Sequence, residues 1–293
     1  MTYAYADGHA HGFPARTTIQ VVAHRGASED APEHTLAAYR KAIEAGADAL
    51  ECDVRLTADG HLVCVHDRRV NRTSNGRGAV SALELRELAA LDFGSWKDAD
   101  DTGDTGGWAE GDPYESPDWE ADPSERSAVL TLERLLELVT GAGRRVDLAI
   151  ETKHPTRWAG QVEERLLDLL GRFGLSDPRN APEGRSRVRV MSFSARSLRR
   201  IQTGAPTLPT VYLMNYLFRR YRDGRLPASV SIAGPGIRLL RANPGYVARV
   251  HGAGHRVHVW TVDEPGDVEL CVRLGVDAII TNRPKQVLAQ LGR

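Results

Sequence analysis

Acidic side chains stand at the ends of two short apolar runs in this sequence. Glu51 and Asp53 close the first run, and Glu151 closes the second. One residue separates Glu51 from Asp53, so on a strand both side chains point to the same face while Cys52 points away. Three converging carboxylates repel each other, and a hard divalent cation such as Mg²⁺ or Ca²⁺ neutralises such a group well. The pattern favours a metal site over the alternatives, which are solvated strand ends and ordinary ion pairs.

Two histidines, two basic residues and a tryptophan accompany these carboxylates. His24 and His66 titrate near neutral pH and are candidates for proton transfer, although a single histidine is more often a packed or surface residue. Arg25 and Lys153 offer donors suited to phosphate oxygens, or ion-pair partners for the acids. Trp260 fits either a pocket wall or barrel packing. Together these residue types indicate proton transfer on an anionic substrate.

Short apolar runs alternate with helical patterns along most of the chain. Strands that alternate with helices of this length imply parallel βαβ units, and eight units predict closure into a (β/α)₈ barrel. An open doubly wound sheet is the alternative, but it usually carries a glycine-rich phosphate turn after its first strand, and residues 24–27 are not one. The runs predicted to be strands are 19–23, 49–54, 146–150, 188–191, 210–213, 230–233, 257–260 and 278–281.

The candidate residues fall at one end of this predicted barrel. In barrels of this type the site lies at the C-terminal ends of the strands, where the polar groups named above stand and where Asn282 follows the last strand. The opposite ends show no comparable cluster in the sequence. His258 alternates with Val257 and Val259, which predicts a core histidine with a satisfied hydrogen-bond partner.

The overall composition argues against several classes of protein. The formal net charge is −1, which gives no general attraction to nucleic acid or to an anionic membrane. Cys52, Cys64 and Cys271 form no C-x-x-C pair, which argues against a disulfide framework or a zinc site and fits a reducing compartment. The sequence shows no signal peptide and no membrane-spanning run, so we expect a cytoplasmic protein without stable membrane insertion.

The chain is predicted to form one domain with two irregular stretches. Residues 1–18 look like a flexible lead-in, and residues 19–293 form the barrel domain. Residues 94–127 are rich in Asp, Glu, Gly, Pro and Trp without a period, which indicates a surface insertion that the barrel does not need. Residues 215–227 mix aromatic side chains with arginines, which favours a solvated loop over contact with an anionic substrate or a membrane surface.

The order of the motifs resembles that of a known family. The sets H-R-G, E-x-D, H-D and E-x-K are highly specific in this order, whereas any one of them alone is weak. From about Val21 to the C-terminus, except in the insertion and weakly around 215–241, the chain resembles the glycerophosphodiester phosphodiesterases. The segments that carry the resemblance are VVAHRGASEDAPEHTLAAYRKAIEAGADALECDVRLTADGHLVCVHDRRVNRTSNGRGAV, LTLERLLELV, DLAIETKHP, VMSFSARSL, VHVWTVDEP and GVDAIITNRP.

The resemblance implies a (β/α)₈ barrel that hydrolyses small glycerophosphodiesters to glycerol 3-phosphate and an alcohol with one divalent cation, Mg²⁺ or Ca²⁺. It leaves the oligomeric state open. Carried over residue by residue, it implies that Glu51, Asp53 and Glu151 bind the metal. It implies that His24 and His66 form the acid–base pair. The implied substrate contacts are Arg25, Lys153 and Trp260.

This sequence departs from the family pattern at three places. The family usually has P-E-N-T where this chain has His34 at the third position, and it often has Asp where Asn282 stands. The insertion after Leu91 is longer and more acidic than we expect. These differences leave the substrate and the preferred metal open, although no proposed catalytic group is replaced.

Three alternative functions remain. The first is a related barrel phosphodiesterase that cleaves phospholipids through a cyclic phosphate, which no secretion signal or apolar surface motif favours. The second is a Schiff-base aldolase that uses Lys153. The third is a barrel that binds without catalysis, and the intact set of histidines and carboxylates argues against it.

Overall fold

The computed structural model describes residues 18–97, 122–154, 157–158, 160–176 and 186–293, and these form a closed barrel of eight parallel strands. The first strand pairs with both the second strand and the last one, which closes the sheet and confirms the predicted (β/α)₈ fold. Of the irregular stretches, residues 1–17 and 98–121 lie outside the described residues. The barrel strands are β1 (Gln20–His24), β2 (Ala49–Leu56), β4 (Asp147–Thr152), β5 (Val188–Ser192), β6 (Thr210–Met214), β7 (Ile232–Pro235), β8 (Arg256–Val259) and β9 (Ala278–Thr281).

Helices follow the strands and cover the outside of the barrel. Threonines cap two of these helices: Thr131 accepts a hydrogen bond from the backbone N–H of Arg134, and Thr35 accepts one from that of Ala38. Among the described helices, none combines the length and the apolarity needed to cross a membrane. They are α1 (Leu36–Glu44), α2 (Leu85–Ala89), α3 (Pro123–Ser127), α4 (Leu132–Thr140), α5 (Gln161–Arg172), α6 (Ala195–Gly204), α7 (Ile237–Ala242), α8 (Tyr246–Gly252), α9 (Pro265–Leu274) and α10 (Pro284–Gln290), with short 3₁₀ turns at Val80–Ala82 and Arg219–Tyr221.

Successive side chains along each strand point alternately into the barrel and toward the helices, so the protein has an inner core and an outer core. On β5, Val188 and Val190 pack outward against helices, whereas Met191 faces the barrel interior. Cys52 likewise points outward beside buried leucines, as the spacing of Glu51 and Asp53 predicts. The inner core consists of Val22, Ala49, Ala149, Met191, Val211, Leu213, Ile232, Ala278 and Ile280, with Trp260 packed against it.

One further strand extends the sheet and was not predicted. β2 continues past Asp53 to Leu56, and the chain then turns back as β3 (Leu62–Cys64), antiparallel to β2. The backbone N–H of Val65 donates to the carbonyl of Asp53 at 3.0 Å. This hairpin returns the chain to the barrel mouth and places His66 beside the end of β2. A three-residue run is too short to show a strand period.

The expectation that the opposite barrel end lacks a polar cluster is wrong. Arg189 and Asp147 are buried at that end, and a cavity of about 840 Å³ opens there. His258 is buried as predicted and lines this cavity, but its Nδ1 has no hydrogen-bond partner among the described residues, so that part of the prediction is also wrong. The charged residues were missed because each stands alone within or before an apolar run.

Part of the predicted insertion has regular structure. The short helix α3 lies within it, and Glu125 of that helix pairs with Arg40 of α1 at 2.9 Å. At its base, the backbone N–H of Phe93 donates to the carbonyl of Ser127 at 2.7 Å. The two ends of the segment therefore meet on the barrel, while its dispensability remains a prediction.

Candidate active site

Three buried carboxylates meet at the C-terminal ends of two neighbouring strands. Glu51 and Asp53 lie on β2, and Glu151 lies on β4 directly beside Asp53 in the register. One oxygen of each residue lies within 4.8 Å of the others. Lys153 Nζ lies 2.8 Å from Asp53 Oδ1 and 2.9 Å from Glu151 Oε1, so one ammonium group faces two of the three carboxylates. The three carboxylates are still close enough together for their oxygens to bind one further cation.

The electrostatics of this cluster also fit a cation. Burial and the nearby charge of Asp53 raise the pKa of Glu51 well above its usual value, and the same two causes raise the pKa of Glu151 to about 7. Burial opposes the charge of Asp53, but Lys153 and its other neighbours outweigh this and hold its pKa well below the usual range. Without additional positive charge nearby, Glu51 and Glu151 thus favour their protonated forms. An all-oxygen set of this kind suits Mg²⁺ or Ca²⁺.

Arg25 and Gly26 form a tight turn that follows β1. Both have a positive φ, 60° at Arg25 and 88° at Gly26, and a Cβ on Gly26 would lie 2.6 Å from the backbone of Ala38. Only glycine fits this second position at low cost. The turn directs the backbone N–H of Arg25 to Glu51 Oε2 at 3.1 Å, and its Nε lies 3.1 Å from Asp53 Oδ2. The H-R-G motif therefore places a guanidinium against the carboxylate cluster.

His24, the last residue of β1, is held by an amide. Its Nδ1 lies 2.7 Å from Asn282 Oδ1, and Asn282 Nδ2 donates to Asp263 at 2.7 Å. Because the amide nitrogen is engaged by a carboxylate, the amide oxygen must face His24, and Nδ1 carries the proton. The other ring nitrogen, Nε2, then presents a lone pair 4.0 Å from Glu51 Oε2. Burial and the nearby Arg25 lower the pKa of His24 to about 3.

His66 is held by a carboxylate instead. Its Nδ1 lies 2.7 Å from Asp67 Oδ1, and Arg72 donates to Asp67 at 2.8 Å and to Glu33 at 2.7 Å. Burial raises the pKa of Asp67, but the hydrogen bonds from Arg72 and His66 outweigh it and lower that pKa to about 2. Burial lowers the pKa of His66, while the charge of Asp53 acts in the opposite direction. His66 therefore differs from His24 in having an ionised partner.

His34, which the sequence marked only as a departure from the family pattern, supports the carboxylate cluster. It is buried, has a φ of 62°, and places Nε2 2.9 Å from Asp53 Oδ2. Its Nδ1 lies 2.8 Å from the hydroxyl of Tyr39, which donates in turn to the carbonyl of Glu51 at 3.0 Å. Asparagine tolerates a left-handed backbone better than most residues, so the usual Asn at this position was the signal that could have revealed the constraint.

Trp260 lies at the top of the barrel interior. Its indole N–H donates to the carbonyl of Gly234 at 2.7 Å, and its ring meets the edge of Phe193 with centroids 5.4 Å apart. All eight residues predicted from the sequence thus lie around the C-terminal mouth of the barrel. Sequence reasoning missed the roles of Arg72 and Asp263, which hold Asp67 and Asn282. No local pattern marks either residue.

The fold and the site define a (β/α)₈ barrel in which carboxylates, histidines and basic groups lie together at the C-terminal mouth. Comparison with known proteins agrees: residues 24–286 match the model of the glycerophosphoryl diester phosphodiesterase family. The chain belongs to this family of phosphoric diester hydrolases.

Relatives are similar over nearly the whole chain. A Mycobacterium tuberculosis protein named probable glycerophosphodiester phosphodiesterase 1 is 43% identical over 272 residues, which cover 92% of each chain. The Bacillus subtilis glycerophosphodiester phosphodiesterase is 32% identical and covers 91% of this chain and 84% of its own length. The crystal structure of an Agrobacterium tumefaciens glycerophosphodiester phosphodiesterase has a TM-score of 0.68 at 26% identity, covering 92% and 99% of the two chains. An Oleispira antarctica phosphodiesterase in complex with the product sn-glycerol-3-phosphate has a TM-score of 0.75 at 22% identity, covering 94% and 97%.

Proposed function

We propose that this protein hydrolyses glycerophosphodiesters to glycerol 3-phosphate and an alcohol, with one divalent cation bound by Glu51, Asp53 and Glu151. The observation that carries the proposal is the meeting of these three carboxylates within 4.8 Å, beside two basic side chains and His24. The glycerol 3-phosphate in the Oleispira antarctica structure supports the same choice of product.

The carboxylates fit Mg²⁺ or Ca²⁺ because they offer only oxygen atoms and because two of them favour the proton without added positive charge. When bound, the cation supplies Lewis-acid charge that offsets the negative oxygens of the phosphodiester. His34 and Arg25 both contact Asp53 Oδ2 and so fix the orientation of this carboxylate.

Arg25 and Lys153 are suited to hold the phosphate. Lys153 has three N–H donors and contacts two carboxylate oxygens, so one donor remains for the substrate. Arg25 uses Nε and Nη1 on Asp53 and Glu33, which leaves Nη2 for a phosphate oxygen. Trp260 then offers a ring face to the glycerol side of the pocket.

The two histidines divide the proton transfers between them. His24 has a neutral amide partner and a free lone pair on Nε2, so it is the general base that takes the proton of the attacking hydroxyl. Burial lowers the pKa of His66, and the hydrogen bond to the ionised Asp67 offsets part of this lowering. His66 therefore carries a proton more readily than His24 does, and it is the general acid that protonates the departing alkoxide. The attacking group is either water or the glycerol 2-hydroxyl of the substrate. In the second case the reaction would proceed through a cyclic phosphate intermediate.

A coupled assay for glycerol 3-phosphate tests the proposal. Wild-type protein is given a panel of deacylated phospholipids with Mg²⁺, with Ca²⁺ and after exhaustive chelation. We expect release of glycerol 3-phosphate only with a divalent cation, and Glu51→Ala should abolish it. Activity that survives chelation, or a fully active Glu51→Ala variant, contradicts the metal site. Accumulation of a cyclic phosphate would identify a lyase instead.

Leaving-group dependence tests the division of roles. Loss of a general acid or base typically costs about 10²–10⁴-fold in rate. His66→Ala should therefore slow turnover of glycerophosphocholine much more than that of an activated nitrophenyl ester, because nitrophenolate departs without a proton. His24→Ala should slow both substrates alike. The opposite pattern would exchange the two roles, and unchanged turnover in both variants would refute the acid–base pair.

A further inference from the structure

Exposed large apolar side chains are concentrated on one part of the barrel mouth. Across the described residues only four such side chains are exposed. Three of them, Phe193 (40% exposed), Tyr216 (63%) and Phe218 (36%), lie on the loops that follow β5 and β6. The fourth, Val272, lies on α9. A cluster of exposed rings at one place marks an interaction surface more strongly than scattered apolar residues do.

The loop that carries Tyr216 and Phe218 is anchored to the barrel. Leu217 and Tyr221 pack against the hydrophobic core between sheet and helices, and the Tyr221 ring meets Tyr212 with centroids 5.6 Å apart. The two exposed rings flank the inward-facing Leu217 and lie against each other with centroids 4.5 Å apart. Their exposure is therefore built into a packed loop.

Arginines surround these rings. Arg219, Arg220 and Arg222 are exposed, and no carboxylate in the described part of the chain lies within ion-pair distance of them. Arg220 lies over the rings of Phe218 and Tyr221, at 5.5 Å and 4.8 Å from the ring centroids. The acid of this loop, Asp223, pairs with Arg225 instead. The patch is thus positive, in a chain whose formal net charge is −1.

We propose that this rim patch, formed by Phe193, Tyr216, Phe218, Arg219, Arg220 and Arg222, binds the surface of a bilayer that contains anionic phospholipids. Aromatic rings favour the boundary between headgroups and acyl chains, and arginines bind headgroup phosphates. The choice of a lipid partner rests on the proposed function, since glycerophosphodiesters are the backbone and headgroup of phospholipids without their acyl chains.

The position of the patch links binding to the site. Phe193 belongs to the patch and also contacts Trp260 inside the barrel mouth. A bilayer bound at the patch would therefore face the mouth through which substrate enters. Contact at the surface through loop side chains requires no membrane-spanning element.

Sedimentation with vesicles tests this proposal. Wild-type protein is mixed with vesicles of phosphatidylcholine alone or with added phosphatidylglycerol. We expect binding to the anionic vesicles that weakens with salt, and at least tenfold weaker binding for Tyr216→Ser/Phe218→Ser and for Arg219→Glu/Arg220→Glu. The matched control Val272→Ser/Arg273→Glu makes the same kinds of change on α9 and should bind like wild type.

Each outcome separates this inference from the proposed function. Failure of wild type to bind anionic vesicles, equal binding to both vesicle types, or equal loss in the control would overturn the rim proposal. The rim variants should still turn over soluble glycerophosphocholine at the wild-type rate, because none of the four substituted residues contacts the carboxylate cluster. If vesicles bind as expected and no diester is hydrolysed, the proposed function fails while membrane binding stands.

Discussion

The orientation of His24 depends on a residue 258 positions away in the sequence. Asn282 accepts from His24 Nδ1, and its own amide nitrogen is held by Asp263. Ser28 also donates to the same Asn282 oxygen, at 2.8 Å. The amide therefore fixes both the ring orientation and the tautomer that leaves Nε2 free for the base role proposed above.

Substitution of Asn282 tests this support. Asn282→Leu removes the acceptor, so His24 can rotate or change tautomer, and we expect kcat to fall about 10–100-fold, as with other groups that orient functional side chains. Ser28→Ala removes the other donor to the same Asn282 oxygen but keeps the His24 hydrogen bond, so it is the matched comparison, with at least a third of wild-type kcat. Steady-state kinetics with glycerophosphocholine decide the point. Equal loss in both variants would mean that the amide does not act through the His24 hydrogen bond.

His34 combines an unusual backbone with a direct contact to Asp53. Valine at a φ of 62° is strained because of its branched Cβ, and it also removes the contact to Asp53. Asparagine tolerates this backbone and still offers a donor. We expect His34→Val to weaken Mg²⁺ binding about 10–100-fold by calorimetry, and His34→Asn to keep it within threefold of wild type. Similar binding in His34→Val and wild type would exclude a role in positioning Asp53.

The eight residues proposed for the site could be predicted because each stands at the end of an apolar run. On a strand, residues two apart share a face, so Glu51 and Asp53, and Glu151 and Lys153, are paired by local spacing alone. Arg72, Asp263 and His34 could not be assigned in this way. Their contacts depend on loop conformations that no period encodes.

At the scale of elements, Glu163 connects the loop after β4 to two helices. Its Oε2 accepts from the backbone N–H of Gly160 at the start of α5, and its Oε1 lies 3.0 Å from His154 Nε2. Arg200 of α6 reaches the same oxygen at 3.4 Å. Since Lys153 directly precedes His154, this buried carboxylate also steadies the loop that carries a proposed phosphate contact.

The pKa of Glu163 makes this anchor depend on pH. Burial raises the pKa of Glu163, but hydrogen bonds led by that of His154 outweigh it and lower the pKa from 4.5 to about 2. A carboxyl whose folded pKa is depressed stabilises the fold fully above its unfolded pKa, and this stabilisation is lost as the pH falls from about 4.5 to about 2. We expect Glu163→Gln to lower the free energy of unfolding by about 2 kcal/mol at pH 7, and by less as the pH falls below 4.5.

Urea denaturation at pH 7, 4.5 and 3.5 measures this difference. Glu164→Gln is the matched control, because Glu164 is adjacent and exposed on the same helix. It should change stability by less than about 0.5 kcal/mol at every pH. A deficit in Glu163→Gln that stays constant between pH 7 and pH 3.5 would contradict the assigned pKa.

At the scale of the whole molecule, the alternation of strands and helices was enough to predict the barrel. All eight predicted strands are present, with ends shifted by one or two residues, because buried parallel strands form continuous apolar runs. The hairpin strand β3 was missed, since it is too brief to show a period. The polar floor of the barrel, which Asp147, Arg189 and His258 form at the N-terminal ends of the strands, was missed for a different reason. A single charged residue within an apolar run does not reveal whether its side chain points into the barrel or away from it.

That floor contains a buried guanidinium without a full set of partners. Nε and Nη2 of Arg189 have no hydrogen-bond partner among the described residues, and burial lowers the pKa of Arg189 to about 10. The charge of Asp147 offsets the burial of Arg189 more than any other group does, but Arg145 and Gln20 already donate to the two oxygens of Asp147. In (β/α)₈ barrels the chemistry lies at the other end of the strands, so this charge is expected to affect stability and not turnover.

Replacing Arg189 by an apolar residue of similar length should therefore stabilise the protein. We expect Arg189→Met to raise the free energy of unfolding by about 1–3 kcal/mol, because burying an unpaired charge costs more than its weak attraction to Asp147 returns. Arg145→Met is the matched comparison: it removes a donor at 2.9 Å from Asp147 and should destabilise. Thermal and urea denaturation measure both variants, and kcat should be unchanged in Arg189→Met. If Arg189→Met loses as much stability as Arg145→Met, the guanidinium must be satisfied in solution by an ordered partner at the floor of the barrel.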